Sequence, residues 1–324
     1  MNIKRISTIA LSNRDFADFD EKLDEACRWI ALAAGMGSEL AVLPEALNLY
    51  RGDGPGNPLA LSISQVALED WMQACRKLLE CAAKHRIAVT APVYVREGKG
   101  ILNCFYLIGK SGDVLGRYVK TYPARGELDE GVLPASHNDL ISWEGLRVGG
   151  AICFDMNFPE LFQSQRQGGA ELFLCPSLFH GGSQVNYFAS SLQRPVVVSY
   201  PAWSRIIDIM GREVAGGGYR HETLRFGFGA PVYTADVNFD KQLFPLDCGN
   251  ERKMVDIQRR YGGSVRLETD QDACTFALES LSADLPVRRI IEEFGLVTMD
   301  EYMAQYRRFI RERFPASGCQ ETPL

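Results

Sequence analysis

The chain reads as an α/β protein with its sheet covered by helices, on three observations. Short apolar runs of strand length alternate with amphipathic stretches at helical spacing. Gly- and Pro-rich breakers fall between those runs, and no linker or low-complexity tract interrupts them. Several runs end directly in a reactive side chain, which is how a sheet brings functional groups to one rim.

Residues 6–11 (Ile-Ser-Thr-Ile-Ala-Leu) form the first expected strand. Residues 19–34 follow as a helix, with Leu23, Cys27, Ile30 and Ala34 on one face and Gly35 as a stop. Residues 40–43 are a strand that carries Glu45 just past its end. The run 51–58, Arg-Gly-Asp-Gly-Pro-Gly-Asn-Pro, is a breaker loop. Leu68, Trp71, Cys75, Leu78 and Ala82 predict one amphipathic helix over about 64–84. Strands are expected at 87–95 and 101–108. The turn at Lys110-Ser111-Gly112-Asp113 then makes a hairpin with 114–118. The strand at 148–153 ends in Cys153, and Pro159 suits the first turn of a helix over 160–167 that Gly168-Gly169 closes. Residues 172–175, 196–200 and 206–210 are further strands.

The expected division is a domain over 1–245 and a mostly helical extension over 246–324, which packs on that domain or on a partner subunit. In the extension, 283–294 is helical with Ile290, Ile291 and Phe294 apolar. A Thr298/Glu301 capping box opens a helix over 301–314, whose stripe is Tyr302, Tyr306, Phe309 and Ile310.

A length of 324 residues, 46% hydrophobic and 23% charged, fits a soluble globule. The net charge of −6 gives no footprint for nucleic acid or anionic membrane. No run reaches the length of a spanning helix, and the first residues carry no leader-like apolar stretch. The nine cysteines are scattered, with no CxxC pair, which points to a reducing, cytoplasmic setting. The four histidines lack ligand spacing, so neither a metal nor a cofactor is expected.

Three chemistries arrive at strand ends: a carboxylate at Glu45, an ammonium at Lys120 and a thiol at Cys153. Singly, Glu45 and Lys120 read as solvated side chains, and a cysteine as a buried apolar one. Together they are a minimum set for nucleophilic acyl transfer without a metal. A carboxylate takes the thiol proton, and a turn-to-helix start after Cys153 favours the thiolate. That turn aims the Phe154 N–H at a developing oxyanion, and a buried Lys120 is a second donor to it. Glu127 is a fourth candidate, with Asp129 and Glu130 as close competitors. Cys27, Cys75, Cys104 and Cys175 fall on apolar faces and read as inert.

These residues resemble the nitrilase superfamily of carbon–nitrogen hydrolases, in its amidase- and carbamoylase-like branch. The resemblance rests on Leu43-Pro44-Glu45, on Tyr118-Val119-Lys120-Thr121-Tyr122-Pro123 with Glu127, and on Gly150-Ala151-Ile152-Cys153-Phe154-Asp155 with Asn157-Phe158-Pro159-Glu160. Pro176-Ser177 also fits, and the resemblance covers about residues 1–245. It implies a four-layer α-β-β-α sandwich, a Glu45–Lys120–Cys153 triad and homo-oligomers, dimers or higher, joined through helices. Members that act on nitriles commonly follow the cysteine with Trp-Glu. Phe154-Asp155 therefore favours an amide substrate. The stretch 190–195 lacks the Arg…Glu-Asn pattern that many members carry there.

The leading expectation is hydrolysis of a small linear carboxamide or carbamoyl-amine through a cysteine thioester, with water as the acyl acceptor. A nitrilase is the runner-up, an acyltransferase uses the same thioester, and a catalytically silent scaffold is the non-enzyme alternative. Tyr122, Arg125, Asn157, Leu178, His180 and Trp203 come from segments that surround the rim and are the expected substrate-binding residues.

Overall fold

The parity of strand reversals decides which ends of the strands meet. The computed structural model describes residues 2–11, 16–51, 61–218 and 229–314. Most of the breaker loop expected at 51–58 lies outside the described residues. In the first sheet, β1 (Ile3–Ile9), β2 (Leu40–Val42) and β3 (Ala88–Glu97) run parallel. β4 (Gly100–Ile108) and β5 (Val114–Val119) reverse twice, which returns β5 to the direction of β2. The sheet is completed by β12 (Val232–Asn238) beyond β1. In the second sheet β7 (Leu146–Gly150), β8 (Leu172–Pro176) and β9 (Val196–Ser199) run parallel. They are flanked by β6 (Ile141–Trp143) on one side and by β10 (Ser204–Ile207) and β11 (Glu213–Gly217) on the other.

The two six-stranded sheets pack face to face. Thr8 Oγ1 donates to the Val198 carbonyl and Ser199 Oγ to the Ile9 carbonyl, each at 2.9 Å. A Cβ on Gly150 would stand 2.5 Å from Tyr118 and 2.9 Å from Phe105, so only glycine admits these rings. Helices α1 (Phe19–Gly35) and α4 (Arg76–His85) cover the first sheet. Helices α6 (Pro159–Gln167) and α7 (Gln184–Leu192) cover the second. The result is the expected α-β-β-α sandwich.

Asp18 caps α1 by accepting from the Glu21 N–H, and the helix buries Leu23, Ala26, Ile30 and Ala33. That face is turned by one residue from the expected one, so Cys27 is only half-buried.

The single helix expected over 64–84 is broken into α2 (Ile63–Val66), α3 (Trp71–Ala74) and α4. Between the first two, Leu68 pairs by backbone with Tyr94 and Arg96, at 3.0 and 2.9 Å. Asp70 then caps a new start on the Gln73 N–H. The helical spacing was real, but a sheet edge captured its middle. The strand expected at 206–210 sits earlier, as β10, because Asp208 closes a turn by accepting from the Met210 and Arg212 N–H groups.

The chain divides into one unit spanning Arg5–Asp236 and another formed by Met1–Lys4 with Val237–Leu324. The second unit is less purely helical than the sequence suggested. It holds a three-stranded antiparallel sheet of β13 (Lys241–Pro245), β14 (Val265–Asp270) and β15 (Thr275–Ser280). Around it stand three helices, numbered here α8 (Asn250–Tyr261), α9 (Val287–Phe294) and α10 (Met299–Arg313). Phe244, Phe276, Leu278, Ile257 and Ile290 form its core. The Thr298–Glu301 capping box is present and opens α10, yet no residue of α10 is buried.

Candidate active site

Glu45 and Lys120 follow β2 and β5, which run in the same direction in the first sheet, and Cys153 follows β7 of the second sheet, close to both. Each comes straight off a buried strand, so each reacting group sits where backbone motion is least. Glu45 and Lys120 are almost wholly buried, at 3% and 1% exposure.

One cation ties two carboxylates. Lys120 Nζ donates to Glu45 Oε1 at 2.9 Å and to Glu127 Oε2 at 2.6 Å. Burial disfavours the Lys120 cation, but Glu45, Cys153 and Glu127 more than offset this and hold its pKa above the ordinary lysine value. Glu127 also caps its own short helix, α5 (Arg125–Asp129), by accepting from the Ala124 N–H at 2.7 Å. Its two competitors lie elsewhere: Asp129 is exposed beside Arg125, and Glu130 accepts from the Ile63 N–H.

Two further residues of this cluster were not anticipated. Asn103, buried within β4, donates through Nδ2 to Glu45 Oε1 and Glu127 Oε1, both at 2.7 Å. Tyr94 on β3, its cross-strand neighbour, donates to Glu127 Oε1 at 3.1 Å. The signal was present as a lone amide in the apolar run Ile101-Leu102-Asn103-Cys104-Phe105. A buried polar side chain needs a partner, and here the partners are the two carboxylates.

Cys153 opens a 3-10 turn, Cys153–Asn157, with φ of +50°. A non-glycine residue in this region costs on the order of 1–3 kcal/mol and persists only where its surroundings enforce it. Asp155 supplies the enforcement. Its Oδ2 accepts from the Ile152 N–H and the Tyr118 hydroxyl, both at 2.9 Å, and its Oδ1 from the Tyr122 N–H at 2.7 Å. Asp155 thus joins the Cys153 turn to the strand end that carries Lys120. Burial raises the Asp155 pKa against the pull of the Ile152 and Tyr122 N–H groups.

The Cys153 thiol lies close to Glu45, to Lys120 and to the Leu178 N–H. Burial pushes its pKa up and the Glu45 charge adds to this, while Lys120 and the Leu178 N–H pull the other way and lose. The net effect is upward, from burial first and the Glu45 charge second, so the surroundings as a whole do not favour the anion. Glu45 Oε1 is occupied by Lys120 and Asn103, whereas Oε2 accepts from the Leu178 N–H at 3.0 Å.

Of the expected substrate-binding residues, Leu178 is brought to Glu45 by its backbone. Tyr122 stacks on Phe158 at 3.7 Å, beside the exposed Phe154 ring. His180 lies edge-on to Tyr200 at 6.3 Å, on the same loop as Leu178. That loop is pinned by Arg205, whose Nη2 donates to the His180 and Gly182 carbonyls at 3.0 and 2.7 Å. Asn157 is engaged by Gln184 and the Phe154 carbonyl. Trp203 Nε1 donates to Glu213. Arg125 is 95% exposed, and the nearest acid to it is Asp129 at 4.0 Å.

The model of the family described as carbon-nitrogen hydrolase matches residues 8–227. A human deaminated glutathione amidase is 32% identical over 164 residues, 45% of this chain and 48% of the relative. The chain thus spans about half the length of that relative. A 2-oxoglutaramate amidase of Bacillus subtilis is 27% identical over 208 residues, 58% of this chain and 77% of the relative. Among solved structures, an amidase from Nesterenkonia sp. matches with a TM-score of 0.59 at 21% identity, over 72% of this chain and 90% of that one. A variant of a Nesterenkonia amidase, solved after Michael addition of acrylamide at the active site cysteine, matches with a TM-score of 0.59 at 20% identity, over 80% and 99%.

Proposed function

The chain belongs to the carbon–nitrogen hydrolase family, and from that premise we propose that it hydrolyses a small linear carboxamide or carbamoyl-amine through a thioester on Cys153. The observation that carries this is a single buried ammonium, Lys120, held by Glu45 and Glu127 next to a thiol on a left-handed turn. The amidase names of the two relatives favour the amide end of that range.

In this mechanism Glu45 Oε2 takes the Cys153 proton as the sulfur attacks the carbonyl carbon. The tetrahedral oxygen gains its negative charge between Lys120 Nζ and the Phe154 N–H. Collapse of the intermediate expels the amine, and Glu45 returns the proton to it. A water then enters, Glu45 removes its proton, and the hydroxide attacks the thioester carbon to release the acid and restore the thiol. Glu127 does not exchange protons. It holds Lys120 and, through Asn103, fixes which Glu45 oxygen faces the sulfur.

The experiment is ammonia release from a panel of small amides, carbamoyl-amines and nitriles, run beside Cys153→Ala. Release from an amide or carbamoyl compound that the variant lacks is the expected result. Release from nitriles alone would replace this reading with a nitrilase, and equal release by the variant would remove Cys153 from the chemistry. The proposed assembly is a homo-oligomer, for which light scattering should give a mass above the 36.1 kDa of one chain.

A further inference from the structure

Away from the site, α1 and α4 bring two thiols together on the outer helical layer. Cys81 Sγ donates to the Cys27 carbonyl at 3.7 Å, and Cys27 Sγ donates to the Lys77 carbonyl at 3.6 Å. Each thiol thus bonds to the backbone of the other's helix, and Cys81 Sγ reaches the Cys27 residue itself. Sequence spacing gave Cys27 no partner, because the two residues sit on different helices. Their packing supplies one.

We propose that Cys27 and Cys81 are an oxidant-responsive dithiol that closes to a disulfide and staples α1 to α4. The pair is short of ligands for a metal: among the described residues no group of three or more His, Cys, Asp or Glu is placed to hold one. The chemistry is asymmetric. The Cys27 thiol beside it lowers the Cys81 pKa; burial opposes this, and the Lys84 ammonium lowers it further. Cys27 moves the other way, through its bond to Cys81 and through burial. Within this proposal the Cys81 sulfur attacks first and Cys27 resolves. Cys81 is itself buried, at 6% exposure, and Cys27 is half-buried. Burial pushes Cys75 and Cys104 up to about 12, and Cys175 is raised in the same way.

With hydrogen peroxide as oxidant, the Cys81 sulfur attacks one peroxide oxygen. An S–O bond forms, the O–O bond breaks, and hydroxide leaves to become water with the proton that Cys81 lost. The Cys27 sulfur then attacks the Cys81 sulfenic acid. The S–S bond forms, the S–O bond breaks, and the hydroxyl leaves as water with the Cys27 proton. Two thiols give up two electrons, and one peroxide becomes two waters. The staple tightens a helix that already supports the site, because Lys22 of α1 donates to the Leu49 and Ala46 carbonyls, at 2.7 and 3.4 Å, just beyond Glu45.

The test uses the full chain, reduced and then treated with hydrogen peroxide, and does not depend on the reaction at Cys153. Non-reducing peptide mapping should find a linked pair of peptides carrying residues 27 and 81. The melting temperature should rise by on the order of 5 °C and fall back with dithiothreitol, since a cross-link over a long loop constrains the unfolded chain. Cys27→Ser and Cys81→Ser should both lose the link and the rise. Cys27→Ser should instead accumulate sulfenic or sulfinic acid on Cys81. Absence of the link at doses that oxidise the exposed Cys248 and Cys274 would overturn the dithiol. A link that leaves the melting temperature unchanged would overturn the staple.

Discussion

Glu45 divides its two oxygens between different tasks. Oε1 accepts from Lys120 and Asn103, and Oε2 from the Leu178 N–H, so in the proposed mechanism Oε2 is the oxygen that moves the proton. On this basis Cys153→Ala should abolish turnover with an unchanged melting curve. Lys120→Ala should lower kcat by roughly 10²–10³, the usual loss for one oxyanion donor. Glu127→Gln should impair turnover more than Asp129→Asn, since of these two Glu127 is the one that bonds Lys120, and the reverse order in steady-state assays would count against the assignment. The pH dependence has a defined sign. The Cys153 pKa is raised by burial and then by the Glu45 charge, while Lys120 lowers it. Removing that charge in Glu45→Gln should move the pH midpoint of Cys153 alkylation downward, as read by mass spectrometry of its peptide. A midpoint that stays or rises would show that Glu45 does not act on the thiol. Glu45, Lys120 and Cys153 were legible because each follows an apolar run at its exit. Asn103 and Tyr94 were not, because their partners come from other strands.

At the scale of elements, the Cys153 turn depends on two features that do no chemistry. Gly150 lets the Tyr118 ring into the space a side chain would fill, and the Tyr118 hydroxyl reaches Asp155. Gly150→Ala should cost about 1–3 kcal/mol from overpacking, measured by denaturant titration, and should slow turnover by displacing Tyr118. Asp155→Asn keeps the shape but points an NH₂ group at donors. Leaving a buried donor unpaired costs about 1–3 kcal/mol, so the loss in chemical denaturation should be at least of that order. Helix α4 and its predecessors show the limit of periodicity. The spacing of Leu68, Trp71, Cys75 and Leu78 is helical, yet Leu68 is spent on backbone pairing with Tyr94 and Arg96. No pattern within 64–84 carries that information, because the competing hydrogen bonds come from a strand that follows.

For the whole molecule, the site belongs to the unit Arg5–Asp236, and the tail belongs to the other. Because no residue of α10 is buried, deleting the chain from residue 299 onward should leave the main thermal transition in place. A large fall in calorimetry would mean that α10 carries stability through contacts of another copy. Tyr306 and Phe309, expected as a packed stripe, are more than half exposed.

By itself the sequence determined the alternation of strands and helices, the sandwich through its motifs, and four of the residues at the rim. These are local properties: apolar period, caps, and a polar group at the end of a buried run. Only the tertiary structure decided that β2 and β5 point the same way, that Asn103 joins Glu45 to Glu127, and that Cys81 reaches Cys27. It also set the direction of the Cys153 pKa shift. A pKa depends on burial and on charges a few ångströms away, and those neighbours are far apart along the chain.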